Sequence, residues 1–278
     1  MSNSTRSILI TGCSSGIGYH VAHGLQKIGY RVFATARKPE DVTRLQQEGL
    51  ESLLLDLNDS ASITDAVQKI LKLTDGKLYA IFNNGAHGQP GAIEDLTIEA
   101  LRNQFEVNVF GTHELTRQII PIMRKQGEGR IIQNSSMLGL VVLPYRGAYN
   151  SSKFALEALS DTLRLELANT NIFVSSIEPG PITSKFRMNS HKMFEKYIDQ
   201  ENSIHKQTYD KMRKNLLKKG SVMPFTLPPE SVLKRVVHAL EAKSPQQHYY
   251  VTVPTYVLVT LKRFLPHRLM NWILRKVV

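Results

Sequence analysis

The stretch that most constrains the fold is residues 7–18, which read SILITGCSSGIG. Its first half contains a continuous apolar run at 8–10, which predicts a strand buried on both faces. The second half is a glycine-rich loop, and the apolar spacing over 21–28 predicts a helix that begins near Ile17. A strand, a glycine loop and a helix N-terminus in this order can hold a phosphate, because backbone N–H groups and the helix dipole attract anions.

Each of the three loop glycines has a role in such a unit. Gly12 permits the tight turn, Gly16 lets backbone N–H groups approach the anion, and Gly18 lets the helix pack closely on the strand. Their spacing, GxxxGxG, differs from the commonest dinucleotide fingerprint, so a glycine turn that binds no ligand is an alternative at this point.

Short apolar runs alternate with helical patterns along the rest of the chain. The predicted strands lie at 8–10, 31–36, 52–56, 78–83, 130–135, 172–177 and 249–253, and the predicted helices at 39–48, 60–73, 98–123, 148–168 and 229–242. In a chain of 278 residues with 42% hydrophobic content, this alternation indicates a single-domain α/β fold. We expect a Rossmann-like, doubly wound parallel sheet of about seven strands with helices on both faces, and ligands beyond the carboxyl ends of the strands.

The positive charge of the chain is confined to two regions. The formal net charge is +11, and residues 185–219 and 242–278 each carry +6, so the remainder is almost neutral. This distribution argues against a nucleic-acid-binding surface. The single cysteine, Cys13, permits no internal disulfide, and the sequence shows neither a signal-peptide core nor an apolar run of about 20 residues, so we expect a cytoplasmic protein without a membrane span.

The residues after the second predicted strand indicate which dinucleotide the loop would hold. An acidic residue there commonly binds the ribose 2′-hydroxyl, but this strand is followed by Arg37 and Lys38. The planar guanidinium of Arg37 suits a 2′-phosphate and Lys38 adds charge, so the sequence favours NADP(H) over NAD(H); the alternative is a pair of solvated side chains. Asp56, which ends the third strand, suits either an adenine amino group or the cap of the helix near Ser60.

Three residues between 135 and 153 are suited to proton transfer. Tyr149 and Lys153 lie four residues apart on one predicted helix, so the lysine ammonium would favour the phenolate and lower the pKa of the tyrosine. Ser136 follows a strand that ends at the same sheet edge, where its hydroxyl can stabilise charge on a substrate oxygen. A tyrosine and a lysine at this spacing are, by themselves, also typical of a solvated helix face.

Taken together, the motifs resemble those of the short-chain dehydrogenase/reductase family. They are TGxxxGxG at 11–18, NNG at 83–85, NVxG at 108–111, Ser136 thirteen residues before Tyr149, YxxxK at 149–153 and PG at 179–180. The resemblance runs from Ser7 to Ser184 and is strongest for the branch of 17β-hydroxysteroid and retinol dehydrogenases, with bacterial NADP-dependent aldehyde reductases of the YbbO type. It implies an NADP(H)-dependent oxidoreductase that transfers hydride between nicotinamide and a carbonyl or alcohol of an apolar substrate.

The same resemblance implies a role for each matched residue. Tyr149 would exchange the substrate proton, Lys153 would bind the nicotinamide ribose and lower the pKa of Tyr149, Ser136 would orient the carbonyl, and Asn108 would complete a proton relay through water. The residues that would hold the cofactor are Gly12, Ser14, Ser15, Gly16, Ile17, Gly18, Arg37, Lys38, Asp56, Leu57, Asn83, Tyr149, Lys153, Pro179, Gly180, Ile182 and Ser184.

Two departures from the family pattern affect the cofactor site. The usual Asn-Asn-Ala-Gly is Asn-Asn-Gly-Ala at 83–86, which can shift the local backbone. The usual threonine for the carboxamide is replaced by Ser184, with Thr183 beside it, so either hydroxyl could fill that role. No spacing of histidines, cysteines or carboxylates suggests a metal site.

The C-terminal part of the chain follows weaker patterns. We expect a Rossmann domain over 1–254, and its segment 185–225 suits a surface helix pair or a lid over an apolar substrate, the latter favoured by the resemblance. The basic amphipathic segment 255–278 suits packing against the enzyme's own cleft or a partner subunit, which we favour, or peripheral contact with an anionic membrane.

The sequence also leads to a prediction about oligomeric state and a choice between an enzyme and a binding protein. Helix surfaces at 98–123 and 148–168 resemble those that form dimers in this family, so a homo-oligomer, dimer or tetramer, is expected. The alternative to an enzyme is a catalytically idle NADP(H)-binding sensor or scaffold, and the joint presence of Ser136, Tyr149 and Lys153 counts against it.

Overall fold

The computed structural model describes residues 6–218, 220 and 224–276. Residues 219 and 221–223 of the predicted lid, 277 and 278 of the C-terminal segment, and 1–5 of the predicted Rossmann domain lie outside this part. The strands of the described part are β1 (Ser7–Ile10), β2 (Arg31–Ala36), β3 (Glu51–Leu54), β4 (Ala80–Asn83), β5 (Gly129–Asn134), β6 (Ile172–Glu178) and β7 (His248–Tyr250). They form one parallel sheet in the order β3-β2-β1-β4-β5-β6-β7.

Helices cover both faces of this sheet. In the described residues they are α1 (Gly16–Lys27), α2 (Pro39–Gln47), α3 (Ser60–Leu73), α4 (Ile98–Phe105), α5 (Thr112–Gln126), α6 (Gly147–Glu166), α7 (Phe186–Tyr197), α8 (Lys206–Leu217), α9 (Glu230–Glu241), α10 (Val253–Phe264) and α11 (His267–Lys276). The predicted α/β fold with a seven-stranded parallel sheet is thus confirmed. The strand order reverses between β1 and β4, which opens a crevice at their carboxyl ends.

The apolar run at the start of the chain explains why β1 is central. Ile8 and Ile10 face the core layer that contains Val21 of α1 and Val232 of α9, whereas Leu9 faces the layer formed with α3 and α5. Successive side chains of a strand point to opposite faces, so a continuous apolar run suits a strand that is covered on both sides.

The predicted strands at 52–56 and 78–83 are shorter in the structure, because β3 ends at Leu54, before Asp56, and β4 begins at Ala80. Two further predicted elements differ from the structure. The predicted helix over 98–123 is wrong in its middle, where a π-helical turn, Glu106–Gly111, lies between α4 and α5. The predicted strand at 249–253 is shorter, because β7 ends at Tyr250 and Pro254 lies in the first turn of α10, where its missing N–H costs nothing.

The last two helix pairs pack on the body around the sheet. α7 and α8 form a small core with each other through Phe194, Tyr209 and Met212. α10 and α11 contribute Leu258 and Met270 to a cluster that contains Tyr149, so this segment packs on the chain's own cleft region. Among the described helices, none combines the length and apolarity needed to cross a membrane.

Candidate active site

A cleft of about 910 Å³ opens beyond the carboxyl ends of the central strands. Its walls come from the loop after β1, the ends of β2, β4 and β5, the start of α6, the segment after β6, and α7. The predicted site residues that line it are Gly12, Ser14, Ser15, Gly16, Ile17, Arg37, Asp56, Leu57, Ser136, Tyr149, Lys153, Pro179, Gly180, Ile182 and Ser184. A single cleft therefore holds the glycine loop and the residues suited to proton transfer.

The glycine loop has the backbone that its sequence predicts. Gly12 and Gly16 adopt left-handed φ angles of 70° and 63°, which favour glycine. A Cβ atom on Gly18 would lie 2.5 Å from both Asn84 Nδ2 and the Gly12 carbonyl oxygen, so the close packing predicted there is real. The N-cap residue of α1, Ser15, makes no side-chain capping bond, which leaves the first-turn N–H groups available to an anion.

The proton-transfer residues converge at the start of α6. Tyr149 and Lys153 are both buried, and the Lys153 ammonium donates to the carbonyl oxygen of Asn134 at 2.7 Å. Ser136 Oγ accepts from the backbone N–H of Leu138 at 3.1 Å, and its hydroxyl lies within hydrogen-bonding reach of Tyr149. The phenol, the hydroxyl and the ammonium thus face one end of the cleft.

A chain of amides links this lysine to the glycine loop. The side-chain amide of Asn134 donates to Asn84 Oδ1 at 2.9 Å, and Asn84 Nδ2 donates to the carbonyl oxygen of Thr11 at 2.9 Å. Thr11 Oγ1 accepts in turn from the N–H of Asn84 at 2.9 Å and of Gly85 at 2.7 Å. Sequence reasoning missed Asn134 and Asn84 as positioning residues, although both lie at carboxyl ends of central strands.

Comparison with known proteins identifies the family. The profile described as short chain dehydrogenase matches residues 6–194. The chain belongs to the short-chain dehydrogenase/reductase family. It is 43% identical over 270 residues to the uncharacterized oxidoreductase YbbO of Escherichia coli strain K12, covering 97% of this chain and 94% of that protein.

Further similarities extend over almost the whole chain of this short-chain dehydrogenase/reductase. A protein of Ornithobacterium rhinotracheale named NADPH-dependent 3-dehydrocapnine reductase is 32% identical over 279 residues, with 98% of this chain and 96% of that one covered. The crystal structure of a short-chain dehydrogenase from Streptomyces avermitilis superposes with a TM-score of 0.80 at 28% identity, covering 94% and 93% of the two chains. The predicted family is confirmed, and the protein is an oxidoreductase.

The pKa of Tyr149 differs from the sequence prediction. Burial raises the pKa of Tyr149 to about 12, opposed by the hydrogen bond with Ser136. Burial lowers the pKa of Lys153 to about 8, opposed by the nearby carboxylate of Glu157. The predicted lowering of the Tyr149 pKa is therefore wrong in this structure, because desolvation dominates and the Lys153 Nζ lies 5.8 Å from the phenol ring centroid.

Asn83 and Lys38 are predicted site residues that do not line the cleft. The buried side chain of Asn83 donates to Thr116 Oγ1 at 2.8 Å, so it is Asn84 whose side chain reaches the cleft. Lys38 extends into solvent and pairs with Glu40 at 3.4 Å. Neither side chain lines the cleft, and a contact of either one with a cofactor stays a prediction; Asn83 faces a helix, and a strand residue that does so cannot also face the strand end.

Asn108 lies in the π-helical turn and is buried beneath the cleft. Its Nδ2 donates to the carbonyl oxygen of His87 and to Ser152 Oγ, both at 3.1 Å, and its Oδ1 accepts from the N–H of His87 at 3.2 Å. The side chain therefore fixes the cleft wall, and a proton relay at Asn108 would have to use its main chain. π-helical turns alter backbone hydrogen bonding and recur at functional sites.

The structure also bears on two alternatives that the sequence left open. Asp59 caps α3 by accepting from two first-turn N–H groups, so the capping alternative for Asp56, which lines the cleft, is wrong. Thr183 and Ser184 both line the cleft, and Ser184 Oγ accepts from the N–H of Phe186 at 3.3 Å. The choice between these two hydroxyls for the carboxamide stays a prediction.

Apolar side chains lie next to Tyr149 in the cleft, although α7 also contributes Arg187, Lys192 and Lys196 to the lining. The ring centroid of Phe186, on α7, lies 5.4 Å from that of Tyr149 in an edge-to-face arrangement. Other apolar residues that line the cleft are Met137, Leu138, Leu143, Met193, Met212 and Leu216. The helix pair α7 and α8 thus forms one wall of the cleft.

A cluster of ionisable residues includes Glu157, which lies one helical turn after Lys153 on α6. Ligand-type atoms of Glu157, Glu178 and His248 all lie within 4.8 Å of one another, a grouping that sequence spacing did not suggest. His248 Nδ1 pairs with Glu178 Oε1 at 2.6 Å, and the N–H of Tyr249 donates to Glu178 Oε2 at 2.9 Å. Burial raises the pKa of Glu178 to about 7, and the hydrogen bond with Glu178 raises the pKa of His248.

Proposed function

We propose that this short-chain dehydrogenase/reductase is an NADP(H)-dependent reductase of apolar aldehydes or ketones. The observation that carries the proposal is the convergence of Ser136, Tyr149 and Lys153 at the apolar end of a cleft that has the glycine loop and Arg37 at its other end. Alcohol oxidation is the reverse reaction of the same site.

The residues at the loop end fit a phosphorylated dinucleotide. Gly12 and Gly16 hold a left-handed backbone that brings N–H groups toward the cleft, and Arg37 is exposed at its rim. No carboxylate follows β2 directly, and the nearest one, Glu40, pairs with Lys38. NADPH dependence in the name of the Ornithobacterium relative supports the same preference.

When bound, NADPH supplies the hydride for the carbonyl carbon. Because the pKa of Tyr149 is about 12, its phenol is protonated at neutral pH and can donate that proton to the carbonyl oxygen. Ser136 donates a hydrogen bond to the same oxygen, and the Lys153 ammonium stabilises the phenolate that the proton transfer leaves. The apolar wall around Phe186 excludes water and favours a hydrophobic group next to the carbonyl.

Initial rates with a substrate panel test the proposal. NADPH or NADH is supplied with long-chain aldehydes, retinal and a 17-ketosteroid, with short polar aldehydes as the comparison. We expect faster turnover with NADPH and with the apolar compounds. A preference for NADH would contradict the assignment of Arg37, and a preference for the polar aldehydes would contradict the assignment of the apolar wall.

Arg37→Asp tests the cofactor preference at a single residue. A carboxylate at the rim would repel the 2′-phosphate and accept from the 2′-hydroxyl, so the KM for NADPH should rise at least tenfold while that for NADH falls. Lys38→Asp makes the same charge change outside the cleft and should alter both KM values less than threefold. Equal effects of the two variants would show that Arg37 acts only through bulk charge.

We also propose that the protein forms a homo-oligomer through the outer faces of α5 and α6. Phe110, before α5, and Leu159 and Leu165, on α6, are exposed apolar side chains that a second copy would cover. Light scattering should give a dimer or tetramer for the natural chain and a smaller species for Leu159→Asp with Leu165→Asp. A monomeric natural chain would contradict this assembly.

A further inference from the structure

The outer sides of α10 and α11 form a surface that we name the C-terminal face. It consists of the exposed apolar residues Val253, Tyr256, Val257, Phe264, Leu269 and Trp272. On α10 these residues follow spacings of three, four and seven, so they share one side of the helix. Phe264 is 76% exposed and Trp272 is 56% exposed, which is high for large apolar side chains.

The inner sides of the same helices are already occupied. Leu258 of α10 and Met270 and Leu274 of α11 are buried in the cluster that contains Tyr149. Lys262 also turns inward, where it donates to the carbonyl oxygen of Leu140. The apolar residues of the C-terminal face therefore belong to no hydrophobic core of the described residues, and they lie one helix away from Tyr149.

The charges beside this face identify the chemistry of its partner. Arg263, Arg268, Arg275 and Lys276 are exposed, and residues 242–278 contain no aspartate or glutamate. The Lys276 ammonium lies 4.0 Å from the Trp272 ring centroid, so a cation lies directly over the indole. Two copies of such a face would repel each other, whereas an anionic lipid surface offers both a complementary charge and an apolar layer.

We propose that the C-terminal face docks on an anionic membrane surface. Phe264 and Trp272 would enter the boundary between headgroups and acyl chains, and the basic residues would contact the lipid phosphates. Docking uses only outer sides of α10 and α11, so the packing of their inner sides around Tyr149 is kept. The proposal does not depend on the reaction that the cleft catalyses.

Trp272 provides an intrinsic probe, because it is the single tryptophan of the chain. The full-length protein is titrated with vesicles of phosphatidylglycerol and phosphatidylethanolamine, or with phosphatidylcholine vesicles, and binding is also measured by co-sedimentation. We expect a blue shift of the emission and co-sedimentation with the anionic vesicles. Binding to phosphatidylcholine vesicles, or in high salt, should be at least tenfold weaker.

Two variants and two matched controls keep the test specific. Phe264→Ser, and Arg268→Glu with Arg275→Glu, should each weaken anionic-vesicle binding about tenfold or more. Leu73→Ser, and Lys69→Glu with Lys72→Glu, make the same kinds of change at exposed positions of α3 and should leave binding unchanged. Unfolding temperatures are recorded for all four to exclude misfolding.

Several results would overturn the proposal. The first is that the natural chain neither shifts its tryptophan emission nor sediments with anionic vesicles. The second is that the variants bind these vesicles as well as their controls do. The third is that the natural chain binds both vesicle types equally. Light scattering that shows Phe264→Ser separating an oligomer into monomers, without vesicle binding by the natural chain, would instead assign the face to a second copy.

Discussion

At the scale of single residues, the fold changes the environment of the Lys153 ammonium. The ammonium is buried, bonded to the carbonyl oxygen of Asn134, and has its pKa lowered to about 8. Because the charge of Lys153 stabilises the Tyr149 phenolate in the proposed reaction, the charge state of the lysine should limit the rate above neutral pH.

The pH dependence of carbonyl reduction follows from this value. Lys153 is charged below about pH 8 and neutral above it, so kcat/KM for reduction should be flat below pH 8 and fall above it. The Glu157 carboxylate raises the pKa of Lys153, so Glu157→Gln should move the fall to lower pH. Asp161→Asn, one turn further along α6 and exposed, should leave it in place. A profile that stays flat to pH 9.5 would contradict this role of Lys153.

The sequence predicts the positions of Tyr149 and Lys153 better than their environment. YxxxK places Tyr149 and Lys153 on one side of a helix, and the structure brings both into the cleft. The sequence cannot show that burial outweighs the lysine charge at Tyr149, because desolvation depends on the segments that cover the site. Asn134 was missed for a similar reason, since its contact with Asn84 joins two strands that are neighbours only in the folded sheet.

At the scale of elements, β6 and β7 are joined by a partly buried ion pair at the edge of the sheet. Glu178 ends β6, His248 begins β7, and their side chains meet at 2.6 Å. The pKa of Glu178 is raised to about 7 and that of His248 is also raised, so both groups bind protons more tightly in the folded than in the unfolded chain. The free energy of unfolding therefore falls as pH rises from the ordinary pKa of each group to its raised pKa in the folded chain.

Glu178→Gln should remove most of this pH dependence. The contribution of Glu178 to the free energy of unfolding is fully present below the ordinary carboxyl pKa, near 4.5, and is lost as pH rises through about 7. The difference between the unfolding temperatures at pH 5 and pH 8 should thus shift by several degrees in the variant. Glu230→Gln, which removes a surface pair with His20, is the control. An unchanged pH dependence in Glu178→Gln would show that the partly buried pair does not titrate in this range.

Helices and strands are predicted well from the sequence where an apolar pattern ends at a glycine or at a clear strand boundary. The π-helical turn at 106–111 is invisible in the sequence, because it changes backbone hydrogen bonds without interrupting the helical pattern. The sequence left alternatives open for the packing of α7, α8, α10 and α11, since their apolar residues serve both inner and outer sides. Amphipathic spacing predicts a helix but does not predict which surface of the protein the helix packs against.

At the scale of the whole molecule, the parts of the candidate site lie together at the carboxyl ends of the parallel strands. The parallel strands deliver the glycine loop, Arg37 and Ser136 to the same end, and α6 brings Tyr149 and Lys153 against it. This convergence is the part of the account that sequence predicts most directly, because parallel order alone fixes which strand ends meet. The helix pairs after β6 and β7 then add apolar surface around that site.

In the proposed reaction, the phenol of Tyr149 supplies the proton for NADPH-dependent carbonyl reduction. The most direct measurement compares kcat/KM of the natural chain with those of Tyr149→Phe and Tyr256→Phe, with NADPH binding followed by nicotinamide fluorescence. If Tyr149 has this role, kcat/KM should fall about 10²- to 10⁴-fold in Tyr149→Phe with NADPH affinity kept within about twofold, and it should not fall in Tyr256→Phe. Unchanged turnover in Tyr149→Phe, or tight NADPH binding by the natural chain without turnover of any carbonyl, would contradict this role.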